Sequence, residues 1–174
     1  FTVSSALRKA ATVKEMLPII LKTTIEVTHA DAGVILLGDP IAGDLVVKAG
    51  EGLMTHLVGT RLPINDNVPS PVLTTLEPYV IGHAATEPLI PPALRERLQG
   101  IETAIVVPLQ VGETAVGAMD IAHATPHTFT DSEIRLLATI ADMAASAIHR
   151  ASLFEQLERR VSELSILFEI DRQM

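Results

Sequence analysis

Apolar residues recur with two different periods along this chain, and each change of period outlines an element. Over the last quarter, Phe129 to Met174, they recur at helical spacing, and no Pro or Gly interrupts them. Thr130-Asp131-Ser132-Glu133 is a capping box: the Thr130 hydroxyl can accept from the Glu133 amide while the Glu133 carboxylate reaches back. Phe129 and Ile134 flank it as a hydrophobic staple. Such a helix would run roughly 60 Å, whereas the body of a domain of about 150 residues is roughly 40 Å across. The pattern predicts a helix that leaves its domain.

The front of the chain reads as helix and then hairpin. Phe1 to Ala11 is a short helical segment. Thr12-Val13-Lys14-Glu15 is a second capping box, opening a helix to about Thr28 with Leu17, Ile20, Leu21, Thr24 and Thr28 along one stripe and a mild kink at Pro18. Asp31-Ala32-Gly33 breaks it. Val34 to Leu37 and Leu45 to Ala49 then read as two strands joined by a turn-rich Gly38 to Asp44. From Gly50 to Gly100 the periodicity is lost, and most of the eleven prolines fall here. A short strand is expected around Val58 to Ile64 and another over Tyr79 to His83. A turn or two of helix is expected over Pro71 to Leu76, and another from Pro91-Pro92 to about Leu98. Loops carrying short helices beside a regular sheet are where ligand sites usually lie.

Thr103 to His123 is the clearest hairpin. A type II′ turn at Gly112-Glu113 would pair Val111 with Thr114, Leu109 with Val116, Val107 with Ala118 and Ile105 with Asp120. Both faces are apolar, so the hairpin belongs in mid-sheet. In this register Pro108 faces Gly117, a position that a bulge or an edge tolerates. Asp120 shares a face with Ile105, Val107, Leu109 and Val116 and is its one charge. It is either a buried anchor for a cationic or hydroxylated ligand, or a residue turned out by a register bulge or paired with a local Arg.

Composition narrows the classes. The chain has 174 residues, enough for one domain with an appendage. Apolar residues make up 48% but aromatics only 3%, so the core is aliphatic. A net charge of −8 without a basic run argues against nucleic-acid and anionic-membrane surfaces. No apolar run is long enough to span a bilayer. The chain has no Cys, which rules out disulfides, thiolate metal sites, Cys nucleophiles and thioether-attached chromophores. These features suit a cytoplasmic protein, and the abrupt start and apolar end suggest a piece of a longer one.

The order of elements, and four stretches within it, resembles GAF domains. The stretches are Ala30-Asp31-Ala32-Gly33; Val72-Leu73 with Glu77-Pro78-Tyr79-Val80-Ile81; Ile105-Val106-Val107-Pro108-Leu109 with Gly117-Ala118-Met119; and Phe129-Thr130-Asp131-Ser132-Glu133-Ile134. The resemblance implies an α+β, GAF/profilin-like three-layer α/β/α fold with a central antiparallel sheet of five or six strands. Terminal helices would cover one face and a small-molecule pocket would lie on the other. Residues 1–152 would be the GAF domain, and 153–174 a signalling helix leading to a further domain. Subfamilies that need a Cys, such as the bilin-binding and the methionine-sulfoxide-reducing ones, do not fit, and the cyclic-nucleotide pattern is not found. A generic regulatory type, as in sensor histidine kinases, is what the resemblance leaves. A dimerisation module with a filled pocket and a small metal-dependent enzyme stand as alternatives.

Candidate site residues follow. The resemblance places Arg61, Asn65 and Asp66 where such domains line their pocket, although Asn and Asp belong in turns in any case. His56 and His83 flank the same region and are either ligand contacts or surface histidines. Asp120, with Arg61 and His83, would line a cavity between the central hairpin and the irregular half. His123 and His127 are four apart, but Pro126 forbids the helical turn that would aim both at one ion, and nothing completes a zinc set. No metal, cofactor or catalytic group is expected. His149-Arg150 lacks the neighbours of a phosphoacceptor. In the last helix, Phe154, Leu157, Val161, Leu164 and Phe168 recur at spacings of 3, 4, 3 and 4, the seam of a left-handed coiled coil, which predicts a homodimer.

Overall fold

The computed structural model describes residues 12–65 and 69–173, with side chains to residue 169. The short helix predicted over Phe1 to Ala11 lies outside the described residues. Helix α1, Val13–Thr28, begins as its capping box dictates: the Glu15 amide donates to Thr12 Oγ1 at 3.1 Å. It buries Met16, Leu17, Ile20, Leu21 and Thr24, and the Thr24 hydroxyl donates back to the Ile20 carbonyl at 2.6 Å, so this buried polar group is satisfied within the helix. Strands β1 (Ala32–Gly38) and β2 (Asp44–Gly52) form the first hairpin. The irregular half supplies a short strand β3 (Arg61–Pro63), helix α2 (Pro69–Thr75), a short strand β4 (Tyr79–Ile81) and helix α3 (Pro92–Glu96). Strands β5 (Thr103–Val111) and β6 (Thr114–His123) form the second hairpin, and helix α4 runs from Asp131 to Gln173.

All six strands join one antiparallel sheet in the order β3-β2-β1-β6-β5-β4. The chain thus has the α+β architecture expected, with the longest strands in the middle and the two shortest at the edges. Helices α1 and α4 cover one face, where Ile20, Leu21, Ile35, Ile105, Val107, Leu109, Met119, Ile121, Leu137 and Ile140 are almost fully buried. The irregular half covers the other, over Val34, Leu36, Leu45, Val47, Val106 and Ala118.

Helix α4 is capped reciprocally: the Glu133 amide donates to Thr130 Oγ1 at 3.1 Å, and the Thr130 amide donates to Glu133 Oε1 at 3.3 Å. Ala141, Ala144, Ala145 and Ala151 let it lie close to the sheet and α1. Among the described side chains burial along the helix ends at Ala151, and from Leu153 to Phe168 the large apolar ones stand at least half exposed. Glu155 Oε1 accepts from the Val13 amide at 3.1 Å, a carboxylate at the N-terminus of α1 that ties the two helices together.

The register of the second hairpin corrects the expectation. Gly112 sits at φ 63 and Glu113 is not among the positive-φ residues, as a type II′ turn requires, and Val111 pairs with Thr114. Then the register shifts. Gln110 faces Ala115 but Leu109 faces Gly117, leaving Val116 as the extra residue of a bulge. Every pairing beyond it moves by one: Pro108 with Ala118, Val107 with Met119, Val106 with Asp120, Ile105 with Ile121. Asp120 therefore does not share a face with Ile105, Val107 and Leu109; it points to the opposite one. A slip of one residue exchanges the faces. Pro108 is tolerated because β4 pairs β5 only over Ala104 to Val106, so no strand lies beside its missing N–H.

Candidate functional site

Between the sheet and the irregular half lies a cavity of about 50 Å³. Leu62 of β3, Ile81 of β4, Ala104 of β5 and Asp120 of β6 form its floor and sides. Met54, Pro69, Ala84, Ile90, Leu94, Leu98 and Ile101 form its roof. Among the described residues Asp120 is the only one of the lining that is not apolar.

The sequence puts Asp120 there by alternation around the bulge. Met119 and Ile121 point to the helices, so Asp120 points away from them, between its cross-strand neighbours Val34 and Val106, both buried. Its Oδ1 is sealed from solvent and has no hydrogen-bond partner, and the surface the residue retains is cavity wall. Among the described residues no basic side chain stands by. Burial alone pushes the carboxyl up to about 7, from an ordinary value near 3.8. Near neutrality the group thus exists in both forms and can accept a hydrogen bond or donate one.

The other residues singled out from the sequence lie elsewhere. Arg61 is not in the cavity. Its guanidinium is half exposed and bridges Asp39 at 3.0 Å and Asp44 at 2.9 Å, bracing the β1–β2 turn. The Asp39 carboxylate also accepts from the Ile41 and Ala42 amides, which together with Arg61 hold it below the usual carboxylate range. His83 is 74% exposed, with Nδ1 3.3 Å from Glu102 Oε1, although the adjacent Ala84 lines the cavity. Asn65 is exposed and not part of the lining, and Asp66 lies outside the described residues. His56 sits on the outside of the roof and donates from Nε2 to the Arg97 carbonyl at 2.7 Å.

Sequence reasoning missed the ties that hold the roof. Arg97 donates to Thr60 Oγ1 at 3.0 Å and to the His56 carbonyl at 3.2 Å, joining the segment after β2 to the end of α3. Arg95 donates to the Glu87 and Ile90 carbonyls at 2.7 and 3.0 Å, and its Nε is buried without a partner. The nearly buried Glu87 accepts from the Tyr79 hydroxyl at 2.7 Å, an interaction that raises the phenol above its ordinary value. The available signal was Leu94 and Leu98, four apart after Pro91-Pro92, which marks one inward-facing stripe.

A second titratable cluster lies at the start of α4. The rings of His123 and His127 stack at 4.0 Å, His127 Nε2 lies 2.7 Å from Glu133 Oε2, and His123 Nε2 is buried without a partner. Burial, and then the neighbouring His127, push His123 down. Among the described residues no three His, Asp or Glu side chains are grouped for a metal ion, and no helix is long and apolar enough to cross a membrane.

Comparison with known proteins bears on the whole chain. A sequence model described as "GAF domain" matches residues 10–149. Among solved structures the chain is similar to the GAF domain of a phosphoenolpyruvate-protein phosphotransferase from Coxiella burnetii, with a TM-score of 0.80 and 20% identity over 89% of this chain and 93% of that one. It is similar to a domain of a putative two-component sensor histidine kinase from Sinorhizobium meliloti, with a TM-score of 0.69 and 24% identity over 87% and 99%. It is also similar to a free methionine-R-sulfoxide reductase from Neisseria meningitidis, solved with its substrate, with a TM-score of 0.73 and 17% identity over 87% and 86%.

Proposed function

The chain belongs to the GAF domain family, typical of sensory and regulatory signalling proteins, and we propose that it is a non-catalytic sensory domain of a larger cytoplasmic signalling protein. A small molecule occupies the Asp120 cavity and changes the packing of the terminal helices. Residues 1–152 form the sensor, and 153–174 carry the change towards an output domain. The observation that carries this reading is the position of β6. Asp120 faces the cavity while Met119 and Ile121, one residue to either side, pack in the cluster that contains α1 and α4. A ligand that moves Asp120 acts on a strand whose next side chains rest against the exit helix. What speaks against catalysis is that, among the described residues, the one group of altered acidity in the cavity has no second acid, base or nucleophile beside it.

The test is mass spectrometry of small molecules released from the purified protein, followed by a thermal-shift screen with those recovered. The expected result is a compound that raises Tm in the wild type and not in Asp120→Asn. A protein that releases nothing and shifts with no metabolite would leave only a structural role.

The relay also requires two copies. Phe154, Leu157, Val161, Leu164 and Phe168 stand 55–71% exposed along one seam of α4, with Leu153 and Leu167 beside it. A second copy of this chain covers them in our reading, since heptad spacing is the pattern of a helix pairing with its like. Sedimentation should give a dimer, and the Leu157→Glu, Leu164→Glu double variant should sediment as a monomer with its thermal transition retained. An unchanged mass would reject this seam.

A further inference from the structure

We propose that the Asp120 cavity selects compact, largely apolar weak bases, of which azoles are the model class, and turns away anions. This deepens the sensory reading of the same cavity and rests on it. The argument begins with what the walls lack. Among the described residues no Lys, Arg or His lines the cavity: Arg61 is held by Asp39 and Asp44, His83 lies beside Glu102, and His56 bonds the Arg97 carbonyl. A phosphate or carboxylate would enter an apolar space against a carboxyl group with nothing to balance it.

The wall does offer one carboxyl, with Oδ1 unpartnered and poised near neutrality. A strong alkylammonium would bring three N–H donors to it, and those beyond its reach would face Ile81, Ile90, Leu94 and Leu98 unpaired. A weak base leaves fewer donors over. One proton is shared between Asp120 and the ring nitrogen, and the pair is neutral overall whichever partner holds it, so no net charge is buried. The hydrogen bond supplies the partner that the protein does not. Of the other ring atoms the carbons meet apolar side chains, and one N–H is left over against two for an alkylammonium. Size sets the last limit: a cavity that takes benzene measures roughly 150 Å³ and this one about 50 Å³, so even a five-membered ring is admitted only as the short segments of the roof give way.

The experiment compares imidazole with pyrazole, which has the same size and shape but is barely basic, and with isobutyrate. Binding to the wild type, Asp120→Asn and Leu94→Trp is followed at pH 7 by calorimetry and thermal shift. The wild type is expected to bind imidazole at least tenfold more tightly than pyrazole and to ignore isobutyrate. Asp120→Asn should bind the two azoles equally. Leu94→Trp, which fills the cavity and leaves the carboxyl in place, should bind neither. Equal affinity for the two azoles in the wild type, or binding of isobutyrate, overturns the weak-base proposal and leaves the sensory reading standing. Absence of any azole binding overturns it as well. The sensory reading is decided separately, by the small molecules released from the purified protein.

Discussion

The two faces of the sheet use the same strands and are closed in different ways. On one, α1 and α4 lay continuous apolar stripes over Ile35, Ile105, Val107, Leu109, Met119 and Ile121, with no charged residue in the cluster. On the other, the cover consists of α2 with seven residues, α3 with five and two 3₁₀ turns of three each. Pieces this short do not hold helical form by themselves. Packing and the bonds of Arg95, Arg97 and Glu87 hold them. A cover with few buried contacts per residue opens at low free-energy cost, whereas long packed helices open only with the whole domain. In the proposed reading one face persists and the other admits a molecule, and β6 belongs to both.

The contrast is broken most directly by truncating one large side chain on each face. Ile140→Ala removes a fully buried side chain between α4 and the sheet, where two long helices cannot settle into the void. It should cost about 3–5 kcal/mol. Ile90→Ala removes an equally buried side chain from the roof of an existing cavity, where short segments can close in, so about 2 kcal/mol or less is expected. Chemical denaturation of both variants decides the matter. Equal losses would mean that the roof is as rigid as the helix layer.

The second effect is electrostatic and belongs to the cavity face alone. The Asp120 carboxyl titrates higher in the folded protein, at about 7, than in the unfolded chain, near 3.8. Between those values the folded state holds more protons, so stability falls as pH rises from about 4 to about 7 and then levels. At about 1.4 kcal/mol per pKa unit the loss is at most on the order of 4 kcal/mol. Asp120→Asn abolishes this slope. Compared with the wild type it should be similar near pH 4 and more stable by up to that amount at pH 8. The difference between the two curves cancels the titration of His123, which both proteins share. A variant less stable than wild type at pH 8 would reveal a partner that Asp120 stabilises.

How much of this the sequence displayed follows from the range of the interactions involved. Both helix N-caps were legible because Thr12 with Glu15, and Thr130 with Glu133, lie within four residues of each other, although only the second forms the reciprocal pair of bonds. The type II′ turn was legible at Gly112 for the same reason. The face of Asp120 was not, since it depends on a bulge at Val116, and a bulge is set by what packs across the strands. One local sign existed. Gly117 interrupts a strand, and a Cβ there would collide with the Leu36 carbonyl of β1, the close approach that interior strand glycines mark. Asp120 was expected to line a cavity and does, but the neighbours assigned to it were those of the wrong face. Arg61 was placed by resemblance alone. Its position is decided by Asp39 and Asp44 across the first hairpin, a pairing the turn sequence contained but helical and strand periodicity could not weigh.

The smallest expected effect probes whether the roof moves as a unit of its own. Arg97 is exposed on the outside of the cavity, and its guanidinium ties Thr60 Oγ1 and the His56 carbonyl to the end of α3. Arg97→Ala removes both bonds but keeps the backbone carbonyl that accepts from His56. Each lost bond is partly replaced by water, so the global cost should stay near about 1 kcal/mol. Local opening should change more. Hydrogen exchange of amides in residues 55–60 and 92–98 should quicken several-fold, while amides of α1 and of α4 up to Ala151 keep their wild-type rates, because nothing that Arg97 touches belongs to the helix face. Exchange that quickens equally in α4 would show that the roof, the sheet and the helix layer open together, and the division between a persistent face and an admitting one would then be lost.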